Sequence, residues 1–192
     1  NLCNKSILME SGNIKMFDDT EKVIEFYTQK ALGEKKTEIK DRVDRIGNGK
    51  LKVTGFKLLN EQGEETRYLT SGKDNTIVLE YELKDLNLKK VDITLGIDSF
   101  PGQNRIASIS SKVLKKEIKV SNNLKSIKIK LPKLAFNAGQ YQFTLFIEEN
   151  AIIIDWVKGA GNFEVHAGHF YSSGKLPEQG NMLMEYDFID NE

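Results

Sequence analysis

From Gly49 onward the apolar residues of this chain recur at every second position. Ile77, Leu79, Tyr81 and Leu83 alternate with other residues, as do Val91, Ile93, Leu95 and Ile97. The same period runs through Ile127, Ile129 and Leu131, and through Tyr141, Phe143, Leu145 and Ile147. A period of two turns one side of a strand toward a core and the other away from it. Leu51 to Leu59 reads as a further strand, turned at Glu61-Gln62-Gly63 into another, Thr66 to Thr70. Shorter strands are expected over Arg105–Ser111, Ile152–Trp156 and Asn162–His166, with Gly159-Ala160-Gly161 as a turn between the last two. After a loop, Gly174–Gly180, a final strand covers Asn181–Ile189. Roughly seven to nine short strands with turn signals between them predict an all-β domain, an immunoglobulin-like antiparallel β-sandwich over residues 48–192.

The front of the chain has a different rhythm. Residues 1–15 read as a strand, a turn at Gly12 and a second short strand. A helix from Glu21 to about Ala31 follows, with Asp18 and Glu21 in capping-box spacing and Val23, Ile24 and Tyr27 on one face. Residues 1–32 thus form a short hairpin–helix appendage. Residues 33–47 are dense in charges of both signs and poor in apolar residues, which predicts a solvated linker.

Composition narrows the possible functions. Lys plus Arg and Asp plus Glu both number 28, so no bulk electrostatic attraction to nucleic acid or to an acidic membrane is expected. The single cysteine, Cys3, leaves no internal disulfide framework and reads as a small apolar residue of the first hairpin. The longest apolar run, Ala151–Ile154, is far short of the roughly 20 residues of a membrane span, so the chain reads as soluble. There is no Gly-rich loop with Lys-Ser/Thr to cradle phosphates and no Gly-x-Ser-x-Gly, and the cysteine has no nearby histidine. His166 and His169 lack a third strong ligand at sensible spacing, so neither a metal nor a catalytic residue is assigned.

Binding leaves a better trace than catalysis. If the strands around Val91, Gln140 and Asn162 are neighbours in one sheet, alternation sends Thr94, Gln142, Thr144, Phe146 and His166 to its outer surface. Asp98 and Arg105 are expected at the rim, where Arg105 could meet an anionic cap. Sugars are held by flat apolar rings under their C–H faces and by planar polar groups on their hydroxyls, and this face offers both. The opposite sheet, with Lys128, Lys130, Glu80 and Glu82 outward, reads as an ordinary solvated face. Thr and Gln are also good strand residues and a lone exposed Phe is common on surfaces, so a plain surface is the competing reading. Trp156, after three isoleucines, is expected to pack at the sandwich end, with stacking on a sugar as the alternative.

Two resemblances sharpen this picture. Cys3, Ile7, Met9, Gly12 and Ile14, followed by Val23, Ile24 and Tyr27, resemble the closing hairpin and helix of an ABC transporter nucleotide-binding domain. The remainder is similar to the C-terminal carbohydrate-binding domain of the ATP-binding subunit (Wzt type) of polysaccharide exporters. The likeness rests on Gly49, Val53, Leu58, Asn60 and Gly63; on Thr70-Ser71-Gly72 and Tyr81-Glu82-Leu83; and on Leu95 to Ser99. It continues through Leu131 to Leu134 with Gly139, Tyr141, Phe143 and Leu145, and then Asp155, Val157, Ala160, Phe163, Glu164 and Val165. The resemblance implies a cytoplasmic, non-catalytic module at the inner membrane that recognises the end of O-antigen polysaccharide for export. It implies a membrane-spanning transporter subunit as partner, and a homodimer that exchanges its final strand. ATP and Mg would belong to an upstream domain, with no cofactor in this part. A structural dimerisation module without glycan contact is the alternative, and an enzyme acting on the glycan a third reading.

Overall fold

The computed structural model describes residues 3–20, 22–24, 26–27, 38–101 and 104–189, and the chain divides into two units, 1–37 and 38–192. In the first, β1 (Lys5–Glu10) and β2 (Asn13–Asp19) form an antiparallel hairpin. Its two-residue loop, Ser11-Gly12, has positive φ at both positions, the backbone that matches the twist of paired strands. Residues 20, 22–24 and 26–27 are helical, and the rest of the expected helix lies outside the described residues, as does the linker before Glu38. Val23 is buried, whereas Ile24 and Tyr27, expected on the same face, are exposed. Cys3 is exposed too, so it does not fill the hairpin.

The second unit is the β-sandwich. One sheet has the order β10-β6-β3-β4, from β10 (Ser126–Leu131), β6 (Asn75–Leu83), β3 (Leu51–Leu59) and β4 (Glu65–Thr66). The larger runs β5-β12-β11-β7-β8, from β5 (Tyr68–Thr70), β12 (Ile152–His166), β11 (Gly139–Glu149), β7 (Lys90–Ser99) and β8 (Arg105–Ser110). A short β9 (Ile118–Lys119) pairs with the start of β7. The alternating residues meet between the sheets: Leu79 and Tyr81 from one side, Leu95, Ile97, Tyr141, Phe143, Leu145 and Phe163 from the other, all buried. Phe56 meets Phe143 edge to face at 4.9 Å, bridging the two layers.

Four features depart from the pattern-based expectation. The strand expected over Thr66–Thr70 is two strands in different sheets: β4 pairs with β3, and β5 runs parallel to β12. The two shorter strands expected before and after Gly159-Ala160-Gly161 are one strand, β12. Leu145 pairs with Val157 and Phe143 with Gly161, so residues 158–160 bulge opposite Thr144 alone.

The third departure is the linker. Residues 38–47 do not run free in solvent but pack on the sandwich. Ile39 is buried in the core, and Arg45 is largely covered where it meets the buried Asp155. The Arg45 Nε donates to Asp155 Oδ1 at 2.9 Å, and its other nitrogens donate to the carbonyls of Ile39 (2.6 Å) and Val53 (2.9 Å). Ile46 and Trp156 exchange backbone hydrogen bonds of 3.0 and 2.7 Å, which gives β12 an extra edge partner. Gly47, at φ +135°, passes so close to the Ile154 carbonyl that a Cβ would collide with it.

The fourth is the expected final strand, 181–189. Met182 forms a single bridge to Phe136, and Leu183 is buried. Beyond it the backbone finds no further strand partner among the described residues, and Met184, Tyr186, Phe188 and Ile189 stay exposed.

Candidate functional site

The outer face of the larger sheet is a lattice whose rows follow from strand pairing. In one row Ser110, Thr94, Phe146 and Trp156 stand abreast on β8, β7, β11 and β12. In the next, Ser108 and Gly96 continue to Thr144, which faces the bulge. The third holds Arg105, Asp98, Gln142 and Asn162. Successive rows are about 7 Å apart, two residues along a strand. Over these rows opens a groove of about 390 Å³.

Each wall has a local cause. Phe146 and Trp156 are cross-strand partners, and their rings meet edge to face at 5.9 Å and 77°, making an apolar corner. The Lys158 ammonium lies 5.0 Å from the Trp156 ring centroid, a cation–π contact. At the floor Gly96 has no side chain, and a Cβ there would fall inside the Arg105 guanidinium. Glycine thus allows Arg105 to lie flat on the sheet, where its Nε donates to Asp98 Oδ1 at 2.6 Å. Asp98 is 7 % exposed, so this carboxylate is a floor group rather than a rim group. Thr94 Oγ1 is 3.0 Å from Ser110 Oγ, and Gln142 donates from Nε2 to Asn162 Oδ1 at 3.0 Å.

The β12 bulge forms the remaining side and is held from behind. Arg42 donates to the carbonyls of Lys158 (2.9 Å) and Gly159 (3.0 Å). Asp44 clamps the same guanidinium through bonds of 2.6 and 2.5 Å. Those bonds from Arg42 hold the Asp44 carboxyl below its usual range, at about 2.

Six of the residues expected at the site therefore line one groove: Thr94, Asp98, Arg105, Gln142, Thr144 and Phe146. His166 does not. It shares the face but lies four residues beyond Asn162 on β12, about 13 Å along the strand. There its ring stacks on Tyr68, with centroids 3.8 Å apart. Alternation gives the face of a residue, not its distance from a site. Trp156, Lys158 and Gly159 also line the groove; alternation points to neither Lys158 nor Gly159, and for Trp156 the groove position is the less favoured alternative. The run of isoleucines before Trp156 disguises an outward position, and Asp155 beside it misleads further, because it is the carboxylate that is buried.

The groove offers donors and acceptors, a planar amide, hydroxyls and an apolar corner, a set suited to a polyhydroxylated ligand with C–H faces. Its charges are Asp98 against Arg105 and Lys158. It holds one carboxylate, so the carboxylate pair of glycoside hydrolysis does not line it. Among the described residues no cluster of His, Cys, Asp or Glu could hold a metal ion. No described helix is long and apolar enough to cross a membrane.

Comparison with known proteins bears on the fold and the family. Residues 42–180 match the family model of the Wzt C-terminal domain, an interval that contains the whole groove. The crystal structure of the C-terminal domain of wzt is similar, with a TM-score of 0.61 and 15% identity, covering 78% of this chain and 90% of that one. At that identity the likeness speaks for the fold. A soluble domain of PmoD from Methylocystis sp. ATCC 49242 (Rockwell) matches at a TM-score of 0.34 and 10% identity, covering 63% of this chain and 94% of that one; it carries no argument. No curated protein matches the chain.

Proposed function

The chain belongs to the Wzt C-terminal domain family, and on that premise we propose that its sandwich binds the end of an exported polysaccharide in the groove over β7, β11 and β12. The family is that of a carbohydrate-binding module of ABC transporters. The finer reading is that this module recognises the terminus of O-antigen polysaccharide without catalysing a reaction. It would do so at the cytoplasmic side of the inner membrane, beside a membrane-spanning transporter subunit. The observation that carries the groove assignment is the convergence of Phe146, Trp156, Gln142, Thr94 and Thr144 around one opening. Arg105 and Lys158 beside a single carboxylate suit a chain end bearing an anionic group.

In the same reading the hairpin of the first unit is the end of a nucleotide-binding domain, which would supply ATP and Mg sites upstream. Its exposed Ile7, Met9, Ile14 and Phe17 support this, since an isolated hairpin gains nothing from such a face. Pairing of two subunits through the final segment is supported by the exposed Met184, Tyr186, Phe188 and Ile189. The test of the groove is a calorimetric titration with oligosaccharide from the producing organism's surface polysaccharide. Phe146→Ala should fold and bind more weakly by about 1–3 kcal/mol, by analogy with stacking on aromatic platforms. Unchanged affinity in a folded variant would remove the groove from consideration.

A further inference from the structure

We propose that a second glycan subsite adjoins the groove, built from Gln140, Glu164, Tyr68, His166 and Thr70, and that it holds the sugar units behind the chain end. The proposal rests on the glycan reading of the groove and deepens it from a terminus reader to a reader of several units.

The lattice of the outer face does not stop at the row of Arg105, Asp98, Gln142 and Asn162. The next row is Gln140, Glu164 and Tyr68, and after it come His166 and Thr70, both in register across β12 and β5. These rows lie about 7 and 13 Å farther along the strands. Gln140 donates from Nε2 to the Glu164 carboxylate, and Glu164 Oε2 is 3.2 Å from His166 Nε2. The Tyr68 and His166 rings stack within 7° of parallel, and both residues are exposed. Each ring covers one face of the other, so a pyranose can lie against an outer face of the pair, with the Gln140 amide and the Glu164 carboxylate beside it to meet its hydroxyls. On the far side of Tyr68 a second hollow of about 210 Å³ adds the amides and hydroxyl of Asn60, Gln62, Thr66 and Asn75, with the Glu61–Lys73 ion pair also in its wall.

The direction of the bound chain follows from what stands at the other end. Past the Phe146–Trp156 corner, Lys112 and Glu148 form an ion pair at 2.8 Å, with Glu148 largely buried. A sugar seated in that corner can be extended toward Gln140 and Tyr68. The ligand is then a linear polysaccharide whose last unit fills the groove and whose preceding units cross β12 to β5.

A size-graded series of oligosaccharides, cut from the producing organism's surface polysaccharide so that the natural end is kept, tests this with the full chain. Affinity should rise with length until the span to Tyr68 is filled and then level off. Tyr68→Ala should lower affinity for long members roughly tenfold and leave the shortest binding member unchanged, whereas Phe146→Ala should weaken all of them. If Tyr68→Ala does not fold, the exposed His166→Ala gives the same comparison. Affinity independent of length, or long members indifferent to Tyr68→Ala and His166→Ala, overturns the second subsite and leaves the groove standing. Failure of every member to bind the wild-type chain overturns the groove itself, and the second subsite with it.

Discussion

Replacing Asp155 by alanine should cost this domain a large share of its stability. The Asp155 carboxylate is 4 % exposed and accepts from both Nε and an Nη of Arg45 and from the Val53 amide at 3.0 Å. Arg45 itself is 11 % exposed, so the substitution leaves a guanidinium buried with only the carbonyls of Ile39 and Val53. Removing one partner of such a pair typically costs about 3–5 kcal/mol, against a total of about 5–15 kcal/mol for a domain. For a chain of this size that lowers the melting temperature by roughly 6–20 °C. Urea unfolding followed by circular dichroism gives the free energy, and Trp156 emission reports the adjacent residue in the same experiment. The double variant Arg45→Met with Asp155→Leu removes both charges and should be less damaged than Asp155→Ala alone. A loss below about 1 kcal/mol for Asp155→Ala, or a double variant no better than the single one, would refute the reasoning that the 38–47 segment is bolted to β12 through this pair.

Other expectations follow from single groups. Burial pushes the Tyr141 hydroxyl up to about 12 from an ordinary 10, so the folded chain holds that proton where the unfolded chain has lost it. Its contribution is complete below pH 10 and disappears between pH 10 and about 12, on the order of 1 kcal/mol per pH unit; Tyr141→Phe, compared with wild type by urea unfolding across that range, should lack this component. Light scattering at micromolar concentration should give a mass near twice 21.8 kDa, and truncation after Ser173 should give monomer or aggregate; a wild-type mass of one chain contradicts the pairing. Purified chain should release no phosphate from ATP above buffer, and release surviving removal of contaminating ATPase would overturn the assignment of ATP chemistry to an upstream domain.

The parts legible in the sequence are those that depend on period alone. Alternation along β7 and β11 placed Tyr141 and Phe143 in the core and Thr94, Gln142, Thr144 and Phe146 outside it, and the pairing of β7, β11 and β12 then brought those four together. What escaped is what breaks the period or ignores it. The bulge at residues 158–160 interrupts the alternation of β12, which hid the continuity of the strand and the groove position of Trp156 and Lys158. Residues 38–47 looked solvated because charge density does not reveal a buried ion pair, and only Ile39 hinted at a docked segment. β5 changes sheets one residue after β4, a step that local propensity cannot register. His166 was placed on the right face, but its separation from Phe146 depends on the length of β12, which a broken period conceals.

The central claim, that the groove over β7, β11 and β12 holds glycan, is tested most directly by the emission of Trp156, the one tryptophan of the chain, which lines that groove. Titration of the wild-type chain with end-bearing oligosaccharide should change the intensity and wavelength of this emission saturably, with the dissociation constant found by calorimetry. Heat of binding without any change in Trp156 emission would place the ligand elsewhere on the protein and contradict the account.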